Sequence, residues 1–190
     1  LANSLKNKPF LQSYQRLQDE LVDSNWTAEQ IMGAVEQITP GGLAVWRDNT
    51  LQKVSIQGLV HGNVTKARVD ELADLLKQYV TMDDITPVSP MVVEVEGASS
   101  MVLEIDHNDA SMVLYVQDAQ ATFENRARSA LLTHLVAPGF FSSLRTEQQL
   151  GYVVSAVNTQ LRDYGGISFV IQSPVADPDI LRDQTLAFMT

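Results

Sequence analysis

Residues 138–154 have the sequence PGFFSSLRTEQQLGYVV, and this segment joins a predicted helix to a predicted strand. The pattern of residues 144–149 favours a short helical turn. We expect Gly151 to end that turn, because glycine adopts positive φ without steric cost. A strand then begins at Tyr152. The bend therefore holds Arg145 and Tyr152 on either side of a tight turn, and such a turn can aim both side chains at one point.

Arg145 and Tyr152 are both hydrogen-bond donors, and Arg145 also carries a fixed positive charge. Together they could polarise a peptide carbonyl or hold a carboxylate. The alternative interpretation is structural, with Arg145 solvated and Tyr152 packed in the core, as are most residues of these types. The chemistry of the residues alone leaves both interpretations open.

The composition narrows the class of protein. The chain has 190 residues, of which 45% are hydrophobic, and its formal net charge is −10. The length is sufficient for one large or two small domains, and the hydrophobic fraction is sufficient for a core. The negative charge argues against nucleic acid or an anionic membrane as a partner and favours basic peptides. No apolar run approaches the ~18 residues of a membrane span.

The candidate metal ligands are few and badly spaced. There is no cysteine, which excludes disulfides and thiolate metal sites. The three histidines, His61, His107 and His134, lack the H-x-x-E-H or H-E-x-x-H spacing that places two imidazoles on one side of a helix. The sequence therefore predicts no metal site within this chain.

The first half of the chain is predicted to be mainly helical up to about residue 50. Thr27 and Gln30 form a capping-box pattern, and residues 40–42 are expected to end the second helix, with a third beginning near residue 43. Residues 54–60 favour a strand, and Thr65 can cap the helix that follows. One apolar stripe at helical spacing marks the first helix: Leu11, Tyr14, Leu17 and Leu21.

The second half changes to a period of two. Apolar residues alternate through 91–95, 101–105 and 112–116, which predicts three antiparallel strands joined by short turns. Thr122 is expected to cap a helix that continues to about residue 136. Five of its residues are predicted to face the core: Phe123, Ala127, Ala130, Leu131 and Leu135.

Two further strands are predicted after the bend, at residues 152–157 and 167–171. The fold class is therefore α+β, with antiparallel sheets and helices packed against one face. Residues 83–90, within a stretch that carries two prolines and no clear period, are the predicted linker between domains. Because Leu1 is not a methionine and a helix predicted from Asp177 still runs at residue 190, we expect a fragment of a longer protein.

The bend segment closely resembles a motif of the insulysin/pitrilysin family of zinc metallopeptidases. That motif has the form F-x-x-L-R-T-x-x-Q-L-G-Y followed by a hydrophobic residue. Residues 59–76, LVHGNVTKARVDELADLL, resemble a second family segment that precedes a helix. The first motif is carried without gaps by Phe141, Leu144, Arg145, Thr146, Gln149, Leu150, Gly151 and Tyr152.

The resemblance implies a domain organisation. Family members have four similar α+β domains, whose two halves close around a peptide. Residues 1–82 would be the C-terminal part of the third domain, 83–90 the linker, and 91–190 the N-terminal part of the fourth. The inverted H-x-x-E-H zinc motif lies in the first domain, which this chain does not contain.

The resemblance also implies the chemistry and the partners. Arg145 and Tyr152 would reach across the closed chamber and stabilise the transition state of a peptide bound at the zinc. The intact protein would be a zinc metalloendopeptidase, whereas this chain alone would bind no zinc and be inactive. Its partners would be peptide substrates and the N-terminal half of the same protein. The bacterial relatives imply the periplasm, with the cytoplasm as the alternative.

A second function remains open within the same fold family. Some members lack catalysis and act as scaffold or substrate-recognition subunits of larger complexes. The presence of both Arg145 and Tyr152 favours the enzyme. A third interpretation, a free-standing α+β interaction module, is disfavoured by the expected truncation.

Overall fold

The structure is a computed structural model, and it describes residues 8–51, 54–81 and 89–190. The chain divides into two compact units. The first contains residues 8–32 and 90–190, and the second contains the described residues between 33 and 89. The boundary between them falls within the second helix.

The larger unit is built on a three-stranded antiparallel sheet. Strands β1 (Ala110–Gln117), β2 (Val153–Asn158) and β3 (Gly166–Ser173) are arranged in the order β1-β3-β2. Leu114 and Ala156 both pair with Phe169 of the central strand. All residues of β3 are buried, so this strand is covered on both faces.

Three helices enclose this sheet. They are α1 (Pro9–Leu21), α5 (Phe123–Phe141) and α6 (Pro178–Phe188). Phe140 of α5 meets the Phe169 and Phe188 rings edge-on, at centroid distances of 4.9 and 5.3 Å. The core beneath α5 and α6 contains these buried residues: Phe140, Leu144, Val154, Ala156, Ile167, Phe169, Ile171 and Leu181.

Helix α1 lies on the opposite face of the sheet, which the sequence pattern did not predict. Its Ser13 hydroxyl lies 2.9 Å from that of Ser111 in β1, and the Phe10 amide donates to Gln172 of β3. Gln172 and Phe169 are three positions apart along β3 and therefore point to opposite faces. The α+β class and the antiparallel sheet are confirmed.

The smaller unit contains α3 (Pro40–Leu51) and α4 (Lys66–Lys77), while α2 (Ala28–Val35) crosses the boundary. The predicted caps are confirmed, since Thr27 and Gln30 exchange side chain–backbone hydrogen bonds and the Thr65 hydroxyl accepts from the Arg68 amide. The prediction for residues 40–42 was wrong, because Pro40 begins α3, a position that its fixed φ favours.

Several predicted strands are absent from the described residues. Neither 54–60 nor 101–105 forms one, and in 91–95 only Val92 forms a bridge, with Val22. Gln117 explains part of the difference, because its side-chain amide accepts from the Val95 N–H and donates to the Val93 carbonyl. A side chain thus satisfies the backbone groups that a neighbouring strand would otherwise bond.

The inward face predicted for α5 was also wrong. Phe123, Leu131 and Leu135 are exposed, whereas Ser129 and Thr133 are buried. The helix continues through Pro138 to Phe141, five residues beyond the predicted end. The predicted linker 83–90 lies mostly outside the described residues, so the division into domains at that point stays a prediction. Among the described residues, every helix is too short or too polar to span a lipid bilayer.

Candidate functional site

The bend between α5 and β2 is formed by a π-helical turn, Ser142–Glu147, that continues directly from α5. Such single turns occur frequently at functional sites. The prediction that Gly151 supplies the positive φ was wrong, because Gln149 adopts it at 54°. Glycine is needed at 151 for another reason, since a Cβ there would lie 2.3 Å from the Gln172 carbonyl oxygen. The backbone of the bend is therefore pressed against β3.

Arg145 lies in the π-helical turn and faces the start of β2. Its Nη1 donates a hydrogen bond to the backbone carbonyl of Tyr152. Its guanidinium carbon also lies 5.4 Å from the centroid of the Phe141 ring, which is within cation–π range. The bend thus joins the Arg145 guanidinium to the backbone of Tyr152, whereas the convergence of the two side chains on one point stays a prediction.

Tyr152 directly precedes β2, and its side chain is 46% exposed. Its amide donates to the Gln172 carbonyl, which fixes the backbone beside β3. Its hydroxyl donates to Asp109 Oδ2 at 2.7 Å and accepts from Gln172 Nε2. The phenol is therefore held at its tip in a residue that is nearly half exposed, so the expectation of a core tyrosine does not apply.

Gln172 is fully buried in the central strand. Its Oε1 accepts from the Phe10 amide at 3.3 Å, so its Nε2 must point towards the bend. That nitrogen donates to Asp109 Oδ2 at 2.8 Å as well as to Tyr152. A buried amide needs such partners, because an unpaired polar group inside a protein is costly.

Asp109 directly precedes β1, at the end of a short turn. Its backbone amide donates to His107 Nδ1 at 2.9 Å, which fixes the turn. We call the group formed by Asp109, Arg145, Tyr152 and Gln172 the tyrosine cluster. Its members come from the starts of two strands, from the π-helical turn and from the central strand, so the sheet topology assembles it.

Hydrogen bonding shifts the ionisation of two members of the tyrosine cluster. The bonds from Tyr152 and then Gln172 lower the pKa of Asp109 below its usual range. The bond to Asp109 raises the pKa of Tyr152, because ionising the phenol would place two negative charges side by side. The cluster therefore keeps a protonated phenol beside an ionised carboxylate near neutral pH.

Sequence reasoning identified Arg145 and Tyr152 and missed Asp109 and Gln172. Gln172 carried a usable signal, since it is a polar residue in the apolar run 167–172, ISFVIQ. Asp109 carried none, because acidic residues are common in the predicted turn. It meets Tyr152 only because β1 and β2 both pair with β3.

No group of three or more His, Asp or Glu side chains in the described ranges 8–51, 54–81 and 89–190 could hold a metal ion. The tyrosine cluster itself offers one carboxylate, one amide, one phenol and a guanidinium. A guanidinium repels cations, so this set does not fit zinc.

Comparison with known proteins gives consistent similarities. Residues 131–190 match the family described as PQQ synthase PqqF-like, C-terminal lobe domain 4. Human insulin-degrading enzyme is 26% identical over 200 residues, which covers 100% of this chain. Protease 3 of Escherichia coli (strain K12) is 29% identical over 154 residues, or 80% of this chain.

The crystal structure of pitrilysin has the same fold, with a TM-score of 0.78 over 97% of this chain at 24% identity. The chain spans only a small part of these relatives. It covers 19% of insulin-degrading enzyme, 16% of protease 3 and 20% of the pitrilysin chain. The similarities to both proteases extend over most or all of this chain.

Proposed function

The chain is a member of the insulysin/pitrilysin family of proteases, and from this we propose that it forms part of the C-terminal half of a zinc-dependent metalloendopeptidase. The enzyme degrades peptides within a closed chamber. This part contributes chamber wall and substrate-binding residues, and the zinc site lies in another domain. The N-terminal half of the same protein is its partner in closing the chamber.

One observation carries the assignment of the binding residues. A guanidinium and a half-exposed phenol are fixed at one bend by hydrogen bonds to the backbone and to a buried amide. Groups held in this way stabilise charge on a peptide carbonyl oxygen with little reorganisation during the reaction. We assign Tyr152 as the donor to that oxygen and Arg145 as the cation that binds beside it.

The domain assignment follows the same proposal. Residues 1–82 belong to the third pitrilysin-type domain, 83–90 to the linker and 91–190 to the fourth. The match of residues 131–190 to a family described as domain 4 of a C-terminal lobe supports the last of these. The periplasm is the proposed compartment, with the cytoplasm as the alternative, and cell fractionation decides between them.

Zinc belongs to the proposed enzyme as a whole. The described residues of this chain supply no ligand set for it, so Arg145 and Tyr152 bind and orient the peptide and stabilise charge on its carbonyl oxygen, while the metal is held elsewhere. The net charge of −10 favours basic peptides over acidic ones as substrates. Because a closed chamber excludes large folded proteins, the substrates are short or unfolded peptides.

The test is peptide turnover by the full-length protein carrying Tyr152→Phe, with zinc content measured in parallel. We expect kcat to fall roughly a hundredfold at unchanged zinc content, the loss typical of one such donor. Tyr164→Phe is the matched control, because Tyr164 also donates its hydroxyl to a carboxylate, that of Glu94, outside the tyrosine cluster.

Unchanged turnover in Tyr152→Phe would contradict the assignment and leave this chain as chamber wall. A full-length protein without peptidase activity would favour the second candidate, a scaffold or substrate-recognition member of the family. The hydrogen bonds of Tyr152 and Arg145 within their own chain also suit that role.

A further inference from the structure

We propose that Asp109 and Gln172 are positioning residues that hold the phenol of Tyr152 for donation to the substrate. This inference rests on the proposed function of Tyr152. It adds a defined resting state, in which the phenol donates its hydrogen bond to Asp109, and a defined release, in which that hydrogen bond turns to the peptide carbonyl.

The first step is the direction of the hydrogen bonds. A phenol has one proton to donate, and at rest it goes to Asp109 Oδ2 at 2.7 Å. Gln172 has no choice of orientation, because the Phe10 amide occupies its Oε1. Its Nε2 therefore donates to both the phenol oxygen and the carboxylate. The hydrogen bond from Gln172 fixes the position of the phenol oxygen, whether the phenol donates to Asp109 or to the peptide.

The second step is the cost of release. When a peptide carbonyl accepts the hydrogen bond of the phenol, which keeps its proton, Asp109 loses one hydrogen bond. It keeps the bond from Gln172 Nε2 at 2.8 Å, so its carboxylate is not left unpaired. Gln172 thus donates to Asp109 and to the phenol oxygen in both states. The phenol oxygen stays in place while its hydrogen bond moves from Asp109 to the peptide carbonyl. Without this support the phenol would lose the fixed position that donation to a transition state requires.

The third step concerns the half-exposed ring. Asp109 and Gln172 lie on the β1 and β3 side of the phenol, and 46% of Tyr152 remains exposed. We therefore infer that a substrate reaches the hydroxyl from the exposed side of the residue. Arg145 is bonded to the backbone of the same tyrosine and places a positive charge beside that approach.

The test is a double-mutant cycle on the full-length protein with a quenched fluorescent peptide. The variants are Asp109→Asn, Tyr152→Phe and their combination, with Asp109→Ala as a second substitution at the same site. We expect Asp109→Asn to lower kcat roughly tenfold with KM nearly unchanged, because a misplaced donor affects the transition state more than binding. In the Tyr152→Phe background the same substitution should lower kcat no further.

Glu94→Gln is the matched control, since Glu94 accepts the hydroxyl of Tyr164 in an equivalent pair, and its turnover should equal that of the parent protein. Thermal unfolding of every variant separates loss of folding from loss of positioning. If Asp109→Asn does not fold, the kcat of Asp109→Ala is measured in its place. If neither variant folds, Asp109 is a structural residue and the proposal is overturned.

The remaining outcomes separate the two proposals. A fall in kcat with Tyr152→Phe but none with Asp109→Asn or Asp109→Ala would overturn the positioning role and leave the proposed function standing. An equal fall in both backgrounds would show that Asp109 acts apart from Tyr152, which also overturns it. No effect of Tyr152→Phe would reject the function of the phenol and the positioning role together.

Discussion

The tyrosine cluster combines two residues that local sequence identifies with two that it does not. Arg145 and Tyr152 belong to one continuous segment, so their proximity follows from the short turn between them. Asp109 is 43 residues from Tyr152 along the chain, and only the pairing of two strands with β3 brings them together. Contacts of this kind depend on the topology of the sheet. The alternation of apolar residues along the sequence does not specify which strands pair.

The ionisation of Asp109 gives a prediction for the free energy of unfolding. Its pKa in the folded protein lies below the ordinary value of 3.8, because Tyr152 and Gln172 donate to the carboxylate. A group with a lowered pKa stabilises the fold above its unfolded pKa, and this contribution is lost as the pH falls through the folded pKa. We therefore expect Asp109→Asn to be less stable than the parent at pH 5–7, with the difference shrinking steadily below about pH 4.

Urea unfolding of the parent and Asp109→Asn between pH 7 and pH 2.5 measures this difference. In the Tyr152→Phe background the pH dependence should weaken, because the largest cause of the pKa shift is removed. A stability difference that stays constant down to pH 2.5 would show that the hydrogen bonds do not favour the ionised carboxylate.

At the scale of elements, capping signals were predicted correctly and burial faces were not. Thr122 begins α5 as expected, since a cap depends on residues within one turn. The buried face of α5 depends on what packs against it. Ser129 and Thr133 are buried on that face, although the sequence favoured Leu131 and Leu135. Thr133 is accommodated because its hydroxyl donates to the Ser129 carbonyl at 2.7 Å.

The close approach of Gly151 to β3 gives a testable prediction at the scale of elements. Gly151→Ala places a methyl group 2.3 Å from the Gln172 carbonyl oxygen and 3.1 Å from its carbon, so the strand must shift. We expect a loss of about 1–3 kcal/mol in the free energy of unfolding, the usual cost of overpacking. The hydrogen bond from the Tyr152 amide to the Gln172 carbonyl should weaken with it, and chemical denaturation measures the loss of stability.

Gly139→Ala in α5 is the control for that substitution. Its added methyl would meet only the Phe188 ring, at 3.7 Å, which is an ordinary contact. Alanine should change the stability by less than about 1 kcal/mol, in the stabilising direction expected inside a helix. Equal losses from the two substitutions would reject the close approach of the bend to β3.

At the scale of the whole molecule, the sequence was most informative about class and family. The α+β class and the strands after the bend were predicted correctly, because β2 and β3 follow clear breaks and consist mostly of apolar residues. The predicted strands at 91–95 and 101–105 show the limit of alternation. A strand also needs a free edge to pair with, and the Gln117 side chain occupies the backbone groups of Val93 and Val95.

The last prediction concerns the chain by itself. In the described residues, no three His, Asp or Glu side chains lie close enough together to bind zinc as the resemblance requires of a catalytic domain. In the proposed function the tyrosine cluster orients a peptide, and the one carboxylate of the cluster accepts hydrogen bonds from Tyr152 and Gln172 at its Oδ2.

We therefore expect the isolated chain, folded as judged by circular dichroism and supplied with zinc, to cleave a quenched fluorescent peptide no faster than zinc alone. The full-length protein under the same conditions should cleave it and lose that activity to a chelator. Chelator-sensitive turnover by the isolated chain would place a metal site within these 190 residues. It would also assign the activation of water to this chain and not to the proposed partner domain, because the same chain would then both bind the peptide and activate the water.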